Sequence, residues 1–259
     1  MSHKRKLHLE CEKSDCDKKE GYLIDLDGTL LSGNHLMPGA KKLLSLLEER
    51  FVIVSNNSTE TSFSLSKKLQ TLGLWVSEVQ ILLAGQFAVK WLAENRRNQR
   101  IILAGSPLLR EFARELNLNL VHKNPDVVLL ARDVAFSYER LSLLANWIRN
   151  GSEFLVTNPD LTHPGVDRQQ VIPETGALMQ AVVACSNALP TIIFGKPEKP
   201  LLQEGLRRLG LLPQAVAMIG DNPQTDGMGA LALGMKFIQI GDAETNCAKN
   251  PEELLHYCF

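Results

Sequence analysis

Two aspartates stand two residues apart in the run Tyr22-Leu23-Ile24-Asp25-Leu26-Asp27-Gly28-Thr29-Leu30. Residues 22–24 are apolar and read as a short buried strand, and Gly28-Thr29 reads as the turn that leaves it. Alternation along an extended chain puts Asp25 and Asp27 on the same side, where both can face one ligand. Carboxylates that close repel each other, and the repulsion is relieved by a cation between them or by a shared proton. Mg2+ suits such a pair, because it takes oxygen ligands and recurs in phosphate sites.

Three further polar positions follow apolar runs in the same manner. Ser55 ends Phe51-Val52-Ile53-Val54, Lys196 follows Thr191-Ile192-Ile193-Phe194-Gly195, and Asp221 follows Ala215-Val216-Ala217-Met218-Ile219-Gly220. Singly each has a plain structural reading: Ser55 as a helix cap, Lys196 as a solvated charge, Asp221 as a turn residue. In an open parallel sheet, however, ligands bind beyond the carboxyl ends of the strands. Four polar sets at four such ends describe one site.

The chemistry that this set of groups fits is phosphoryl transfer. A carboxylate can attack phosphorus and carry the phosphoryl group as an acyl phosphate, and Asp25 is the candidate. Asp27 is placed to protonate the leaving oxygen and then to deprotonate the water that hydrolyses the intermediate. Mg2+ bridging carboxylate and phosphate oxygens lets an anion attack an anion. Ser55 and Lys196 are donors for the phosphoryl oxygens. Asp221 completes the metal site, and Asn222 and Asp226 stand behind it, Asp226 able to hold Lys196 or a metal-bound water.

The elements between these positions alternate strand and helix, the pattern of a parallel sheet with crossover helices. Pro38-Gly39 opens a helix with Leu43, Leu44, Leu46 and Leu47 as its apolar stripe, and a helix over 59–72 is closed by Gly73. Residues 80–190 repeat the rhythm: helix 86–95, strand 101–104, a helix from Ser106-Pro107 to about Asn117, strand 127–131, helix 138–149, strand 154–156, a polar loop over 157–173 and helix 175–187. That is about a hundred residues, enough for a domain. Helix 200–209, a helix over 227–233 and strand 236–240 complete the last part.

With these residues in place the chain resembles a haloacid dehalogenase (HAD) superfamily phosphatase. Asp25-Leu26-Asp27-Gly28-Thr29 is similar to the family's first motif, Ser55 to its second, Lys196 to its third, and Gly220-Asp221-Asn222-Pro223-Gln224-Thr225-Asp226 to its fourth. All four occur in order. The runs Val54-Ser55-Asn56-Asn57-Ser58, Thr157-Asn158-Pro159-Asp160, Thr175-Gly176-Ala177-Leu178 and Gly195-Lys196-Pro197 resemble the NagD-like subgroup, which has a large cap between the second and third motifs and includes pyridoxal phosphate and phosphoglycolate phosphatases. The resemblance spans residues 21–242. It implies an α/β fold, a Rossmann-like parallel-sheet core (21–79 and 191–259) with an inserted α/β cap (80–190), after a flexible extension over 1–20. It also implies Asp25 as nucleophile, Asp27 as acid and base, and Mg2+ held by Asp25, the Asp27 backbone carbonyl and Asp221. Phosphate would lie in the Ser55-Asn56-Asn57 turn with Lys196, and His163 would touch substrate from the cap. Two departures stand out: Glu198 follows Lys-Pro where the family often carries Ser, and Gly227-Met228-Gly229 replaces a more apolar helix start. Neither removes a catalytic group.

Composition narrows the classes. The chain has 259 residues, 44% of them hydrophobic and 22% charged, with formal net charge -1. That is ordinary for a soluble globular protein and offers nothing to nucleic acid or an anionic membrane surface. No apolar run approaches the roughly 18 residues of a membrane span, and the first twenty residues lack a signal peptide's apolar core. Five scattered cysteines (Cys11, Cys16, Cys185, Cys247, Cys258) fit no zinc pattern and suit a reducing cytoplasm.

The expected partner is a small phosphorylated metabolite. The polar cap loop, with His163, Asp167 and Arg168, suits a sugar phosphate, a nucleotide or pyridoxal phosphate without choosing among them. A homodimer through the cap is an expectation of the resemblance; in helix 138–149, Leu141, Leu144, Trp147 and Ile148 read instead as the cap's own core. A phosphotransferase would share the same intermediate. A receiver-like phospho-accepting protein needs no hundred-residue insertion, a dehalogenase has no use for Asp27, and a binding protein would not need every catalytic group.

Overall fold

The computed structural model describes residues 19–164, 170–241 and 248–258. The extension over 1–20 lies outside the described residues but for its last two, as do Cys11, Cys16, Asp167, Arg168 and Cys247. Packing divides the chain into two compact units, Met1–Ile53 with Leu206–Phe259, and Val54–Gly205. The second unit thus holds the 80–190 stretch together with residues 54–79 and 191–205.

The first unit opens on β1 (Gly21–Ile24), a ribbon of β2 (Leu31–Ser32) and β3 (His35–Leu36), α1 (Ala40–Leu47) and β4 (Phe51–Ser55), whose last two residues pass into the second unit. All four residues of β1 are buried. In α1, Leu43, Leu44 and Leu47 are buried while Leu46 is 45% exposed. At 100° per residue Leu46 falls to one side of the face that the other three share, so the expected stripe is narrower by one residue.

The second unit continues with α2 (Ser62–Thr71), β5 (Ile81–Leu83), α3 (Ala84–Asn95), β6 (Ile101–Ala104), α4 (Pro107–Glu115), β7 (Val127–Leu130), α5 (Tyr138–Arg149), β8 (Glu153–Val156), β9 (Thr162–Pro164), β10 (Val171–Pro173), α6 (Thr175–Ser186), β11 (Ile192–Ile193) and α7 (Lys199–Leu209), which runs on into the first unit. Four strands pair in parallel in the order β11-β8-β7-β6. Val127, Leu129 and Leu155 pack with Leu92 and Leu109 of α3 and α4. Val128, Leu130 and Val156 pack with Leu144, Ile148 and Val182 of α5 and α6. This alternation buries both faces, as parallel sheets require, and each such side chain stabilises by roughly 1.5–3 kcal/mol. Leu144 and Ile148 of α5 are therefore core, with Leu141 and Trp147 packed against them.

Two expected elements differ. Helix 59–72 is α2 and begins at Ser62, because Asn57 Oδ1 accepts from Thr59 N (2.9 Å) and Glu60 N (3.0 Å) and holds those residues in a turn. Thr61 then caps the helix by accepting from Ser64 N. The polar loop 157–173 contains an antiparallel hairpin, β9 with β10, in which His163 faces Ile172 in the ladder. Strands of three residues that each include a proline carry no alternation by which to read them.

The chain returns to the first unit with β12 (Val216–Gly220), α8 (Met228–Leu233), β13 (Lys236–Gln239) and α9 (Pro251–Cys258). The strands run in parallel in the order β13-β12-β1-β4, with Ile24 in register with Ile219 on one side and Ile53 on the other. The chain thus leaves β1 toward β4 and comes back on the opposite flank as β12. That reversal of strand order is where open α/β sheets form a crevice beyond the strand ends.

Candidate active site

Asp25 directly follows β1, and its N–H donates to Ile219 O at 2.8 Å, extending the ladder with β12 by one residue. Asp221 directly follows β12. Parallel pairing therefore delivers both carboxylates to the same end of neighbouring strands. Asp226 arrives by a different device. Residues Pro223–Gly227 form a π-helical turn in which Asp226 N donates to Asn222 O (2.9 Å) and Asn222 N donates to Asp226 Oδ2 (3.3 Å). Asn222 Oδ1 also accepts from Gln224 N at 2.9 Å, so this side chain caps the turn.

Asp25, Asp221 and Asp226 each offer a carboxylate oxygen within 4.8 Å of the other two. Asp25 is 7% and Asp226 1% exposed. Thr29, wholly buried, donates its hydroxyl to Asp25 Oδ2 at 3.2 Å. Two glycines let the carboxylates crowd the backbone. A Cβ at Gly28 would overlap the Asp221 carboxylate, and one at Gly220 would come within 2.5 Å of Asp226 Cγ. The loop after β1 is tight: Leu30 N and Leu31 N both donate to Leu26 O at 2.9 Å, and Gly28 N to Leu31 O at 2.7 Å. It carries the Asp27 side chain outward, exposed to solvent.

Three carboxylates this close favour a cation or retained protons. An all-oxygen set of acids, two of them packed close against glycine backbone, suits a hard divalent ion such as Mg2+. Asp27 is exposed where Asp25 and Asp226 are buried.

The second unit gathers Ser55, Asn56, Asn57 and Lys196. Ser55 ends β4, and its Oγ accepts from Asn57 N at 3.1 Å. Lys196 is 2% exposed, and its Nζ donates to Val54 O at 2.9 Å, beside the start of that turn. Asn57 spends its carbonyl oxygen on the turn itself. Asn56 Oδ1 accepts from Lys196 N (2.8 Å), while its Nδ2 donates to Lys196 O (2.9 Å) and to both carboxylate oxygens of Asp160 (3.1 and 3.0 Å). Asn158 Nδ2 donates to Asn56 O at 2.9 Å. His163 belongs to the same unit: its Nδ1 is 2.7 Å from Glu174 Oε1, outside hydrogen-bond alignment, and Arg132 contacts the same oxygen at 3.4 Å.

Two family models match the chain, a haloacid dehalogenase-like hydrolase over residues 22–119 and a HAD-hydrolase-like model over 193–254, together more than half of it. The chain belongs to the haloacid dehalogenase-like hydrolases. Within that family it is a NagD-like phosphatase, a phosphoric monoester hydrolase. It is 29% identical over 224 residues to the 5'-nucleotidase YutF of Bacillus subtilis, covering 85% of this chain and 86% of that one. The 4-nitrophenylphosphatase of Thermotoga maritima superposes with TM-score 0.84 at 27% identity, over 94% of this chain and 99% of that one. A glycerol phosphate phosphatase from Mycobacterium tuberculosis in complex with magnesium gives TM-score 0.78 at 26% identity, over 88% and 68%.

The contacts of several residues in this HAD phosphatase go beyond what the sequence signals. The Thr29 hydroxyl could be read as a turn residue only. Asp226 lies five positions beyond Asp221, and only the π-helical turn brings it back among the acids. Asn158 and Asp160, which the sequence marks only as part of a subgroup run, brace Asn56.

Proposed function

We propose that this phosphatase is a Mg2+-dependent hydrolase of small phosphomonoesters, of sugar phosphate, nucleotide or pyridoxal phosphate type, working through an aspartyl phosphate on Asp25. The observation that carries the reading is the trio Asp25, Asp221 and Asp226, the first two just past neighbouring strands and the third brought in by the π-helical turn, with the Asp25 carboxylate held by Thr29. Relatives named as a nucleotidase, a nitrophenylphosphatase and a glycerol phosphate phosphatase support a small ester as substrate.

Asp25 and Asp221, with Asp226 beside them, would hold Mg2+, whose charge lets a carboxylate approach a phosphate dianion. A carboxylate oxygen of Asp25 forms the new bond to phosphorus as the ester P–O bond breaks. The departing alkoxide takes its proton from the Asp27 carboxyl, which is left as a carboxylate. Asp27 then removes a proton from water as the water oxygen bonds to phosphorus and the Asp25–phosphorus bond breaks. Orthophosphate leaves, Asp25 is restored, and Asp27 is protonated for the next turnover. Ser55 and Lys196 serve as donors to the phosphoryl oxygens, in keeping with their motif resemblance. The 80–190 stretch, read as the cap with His163 as a substrate contact, selects the leaving group.

The test is phosphate release from a panel of phosphomonoesters in buffer free of acceptor alcohols, with Mg2+ or with chelator, for wild type and Asp25→Asn. The expected result is Mg2+-dependent release that Asp25→Asn abolishes. Full activity in the variant would remove Asp25 as nucleophile. Release that needs an added alcohol would make the protein a transferase.

A further inference from the structure

We infer that Asn56 and Asp160 are positioning residues for Lys196: Asn56 grips the Lys196 peptide by both its N–H and its C=O, and Asp160 fixes which way round the Asn56 amide faces. The inference rests on the proposed role of Lys196 toward phosphate.

The grip is a two-point ring. Lys196 N donates to Asn56 Oδ1 at 2.8 Å and Asn56 Nδ2 donates to Lys196 O at 2.9 Å, across a separation of 140 residues. A flipped amide would oppose donor to donor and acceptor to acceptor. Asp160 prevents the flip, because an ionised carboxylate only accepts, and both its oxygens lie within 3.1 Å of Asn56 Nδ2. One amide hydrogen then serves Asp160 and the other Lys196 O. The Asn56 side chain is turned to the lysine backbone, so within a turn read as phosphate-binding it does not act as a substrate ligand.

The brace is itself braced. Asn158 Nδ2 donates to Asn56 O, and Asn158 Oδ1 accepts from Asp160 N at 3.1 Å, so one side chain ties both partners. A Cβ at Gly195 would meet Asn56 Oδ1 at 2.5 Å and Asn158 Cβ at 2.8 Å, so the residue before the lysine must be glycine for the ring to close. Lysine needs such help. Its long stem carries many rotamers, and its ammonium is a point charge without the built-in direction of a guanidinium. Here the peptide is clamped at one end and Nζ is anchored on Val54 O at the other. The stem between the two is thereby held to one path.

The test is steady-state kinetics with p-nitrophenyl phosphate and Mg2+, alongside circular dichroism to count folded protein. For Asn56→Ala and Asp160→Ala the expected outcome is a fall in kcat of roughly tenfold or more with KM changed by less than about threefold, the signature of an interaction made chiefly in the transition state. Asp160→Asn keeps one acceptor oxygen and recovers most of the activity. In a Lys196→Ala background, assayed at raised enzyme concentration, adding Asn56→Ala costs less than about threefold, because a residue that acts through a partner has nothing left to position. An equal loss in that background, or Asp160→Asn as damaged as Asp160→Ala, overturns the inference. If Asn56→Ala fails to fold, the Asp160 pair and its cycle with Lys196→Ala decide. Lys196→Ala with wild-type kinetics would instead sink the proposed role of the lysine.

Discussion

The backbone of Gly28 lies against the carboxylate of Asp221, so close that a Cβ at position 28 would overlap Oδ2 and come within 2.6 Å of Cγ. Gly28 also has φ +87°, a left-handed conformation that costs a residue with a Cβ roughly 1–2 kcal/mol. Gly28→Ala should therefore act twice, on stability and on the acid cluster. The Mg2+ concentration for half-maximal activity should rise by roughly tenfold or more, the size of effect seen when groups that orient metal ligands are disturbed. A Mg2+ titration of activity checks this, with thermal unfolding to separate the strain. An unchanged Mg2+ requirement would mean that Asp221 does not contribute to ion binding.

Thr29 offers a cleaner cut. Its hydroxyl donates to Asp25 Oδ2 at 3.2 Å from a fully buried position. Thr29→Val keeps the branched shape and removes only the donor. Hydrogen bonds to charged groups contribute about 1.5–3 kcal/mol, so kcat/KM should fall by roughly ten- to hundredfold. The comparison is kcat/KM against the urea midpoint of the same variant. Wild-type kcat/KM in Thr29→Val would show that the hydroxyl does not orient Asp25.

Which features could be read in advance follows from what each depends on. Buried parallel strands such as Val216–Gly220 are continuous apolar runs, and the polar residues at their ends stand out against them. Local periodicity also suffices for α5 and for the parallel sheet it packs on. It fails for β5, where Ile81–Leu83 runs straight into a helix, and for the β9–β10 hairpin, whose strands are three residues long. It equally fails for α9, eight residues beyond the last expected strand. Within the candidate site, Asp25 and Asp221 are visible because each follows a strand. Asp226 joins them only through a π-helical turn, and Asn56 turns toward a peptide 140 residues away. The motif brings Asp226 to the neighbourhood of the acids without giving its approach to Asp25, and nothing near Asn56 signals a partner so far along the chain.

The acid limit of stability offers a separate check. Arg100 holds the Asp126 carboxyl down at about 2, first through their side-chain hydrogen bond and then through the Arg100 backbone N–H. A carboxyl whose folded pKa lies below its unfolded value stabilises above the unfolded pKa and loses that contribution as pH falls through the folded one. Urea midpoints of wild type and Asp126→Asn should therefore differ slightly at pH 5, and the gap should close as pH falls from about 4 toward 2. The pair is exposed, so the gap should also narrow in high salt. A gap that widens in acid would contradict the pairing.

Mg2+ should couple to folding through the acid cluster, and this coupling can decide what Asp226 does. An ion that binds only the folded chain stabilises it by about 2.7 kcal/mol at a hundred times its Kd. For a chain of this size that is a rise of roughly 5–10 °C in Tm. Chelator-treated wild type should show that rise on adding Mg2+, and Asp221→Asn should lose most of it. The sequence suggests that Asp226 stands behind the ligands, yet its carboxylate lies within 4.8 Å of the other two. If Asp226 meets the ion directly, Asp226→Asn should abolish the Mg2+ shift as fully as Asp221→Asn. An intermediate shift would place it behind, orienting a ligand or a bound water, since an amide can still donate and accept there. A full wild-type shift in Asp226→Asn would leave Asp25 and Asp221 as the acids that hold the ion, with Asp226 serving the turn through its bond from Asn222 N.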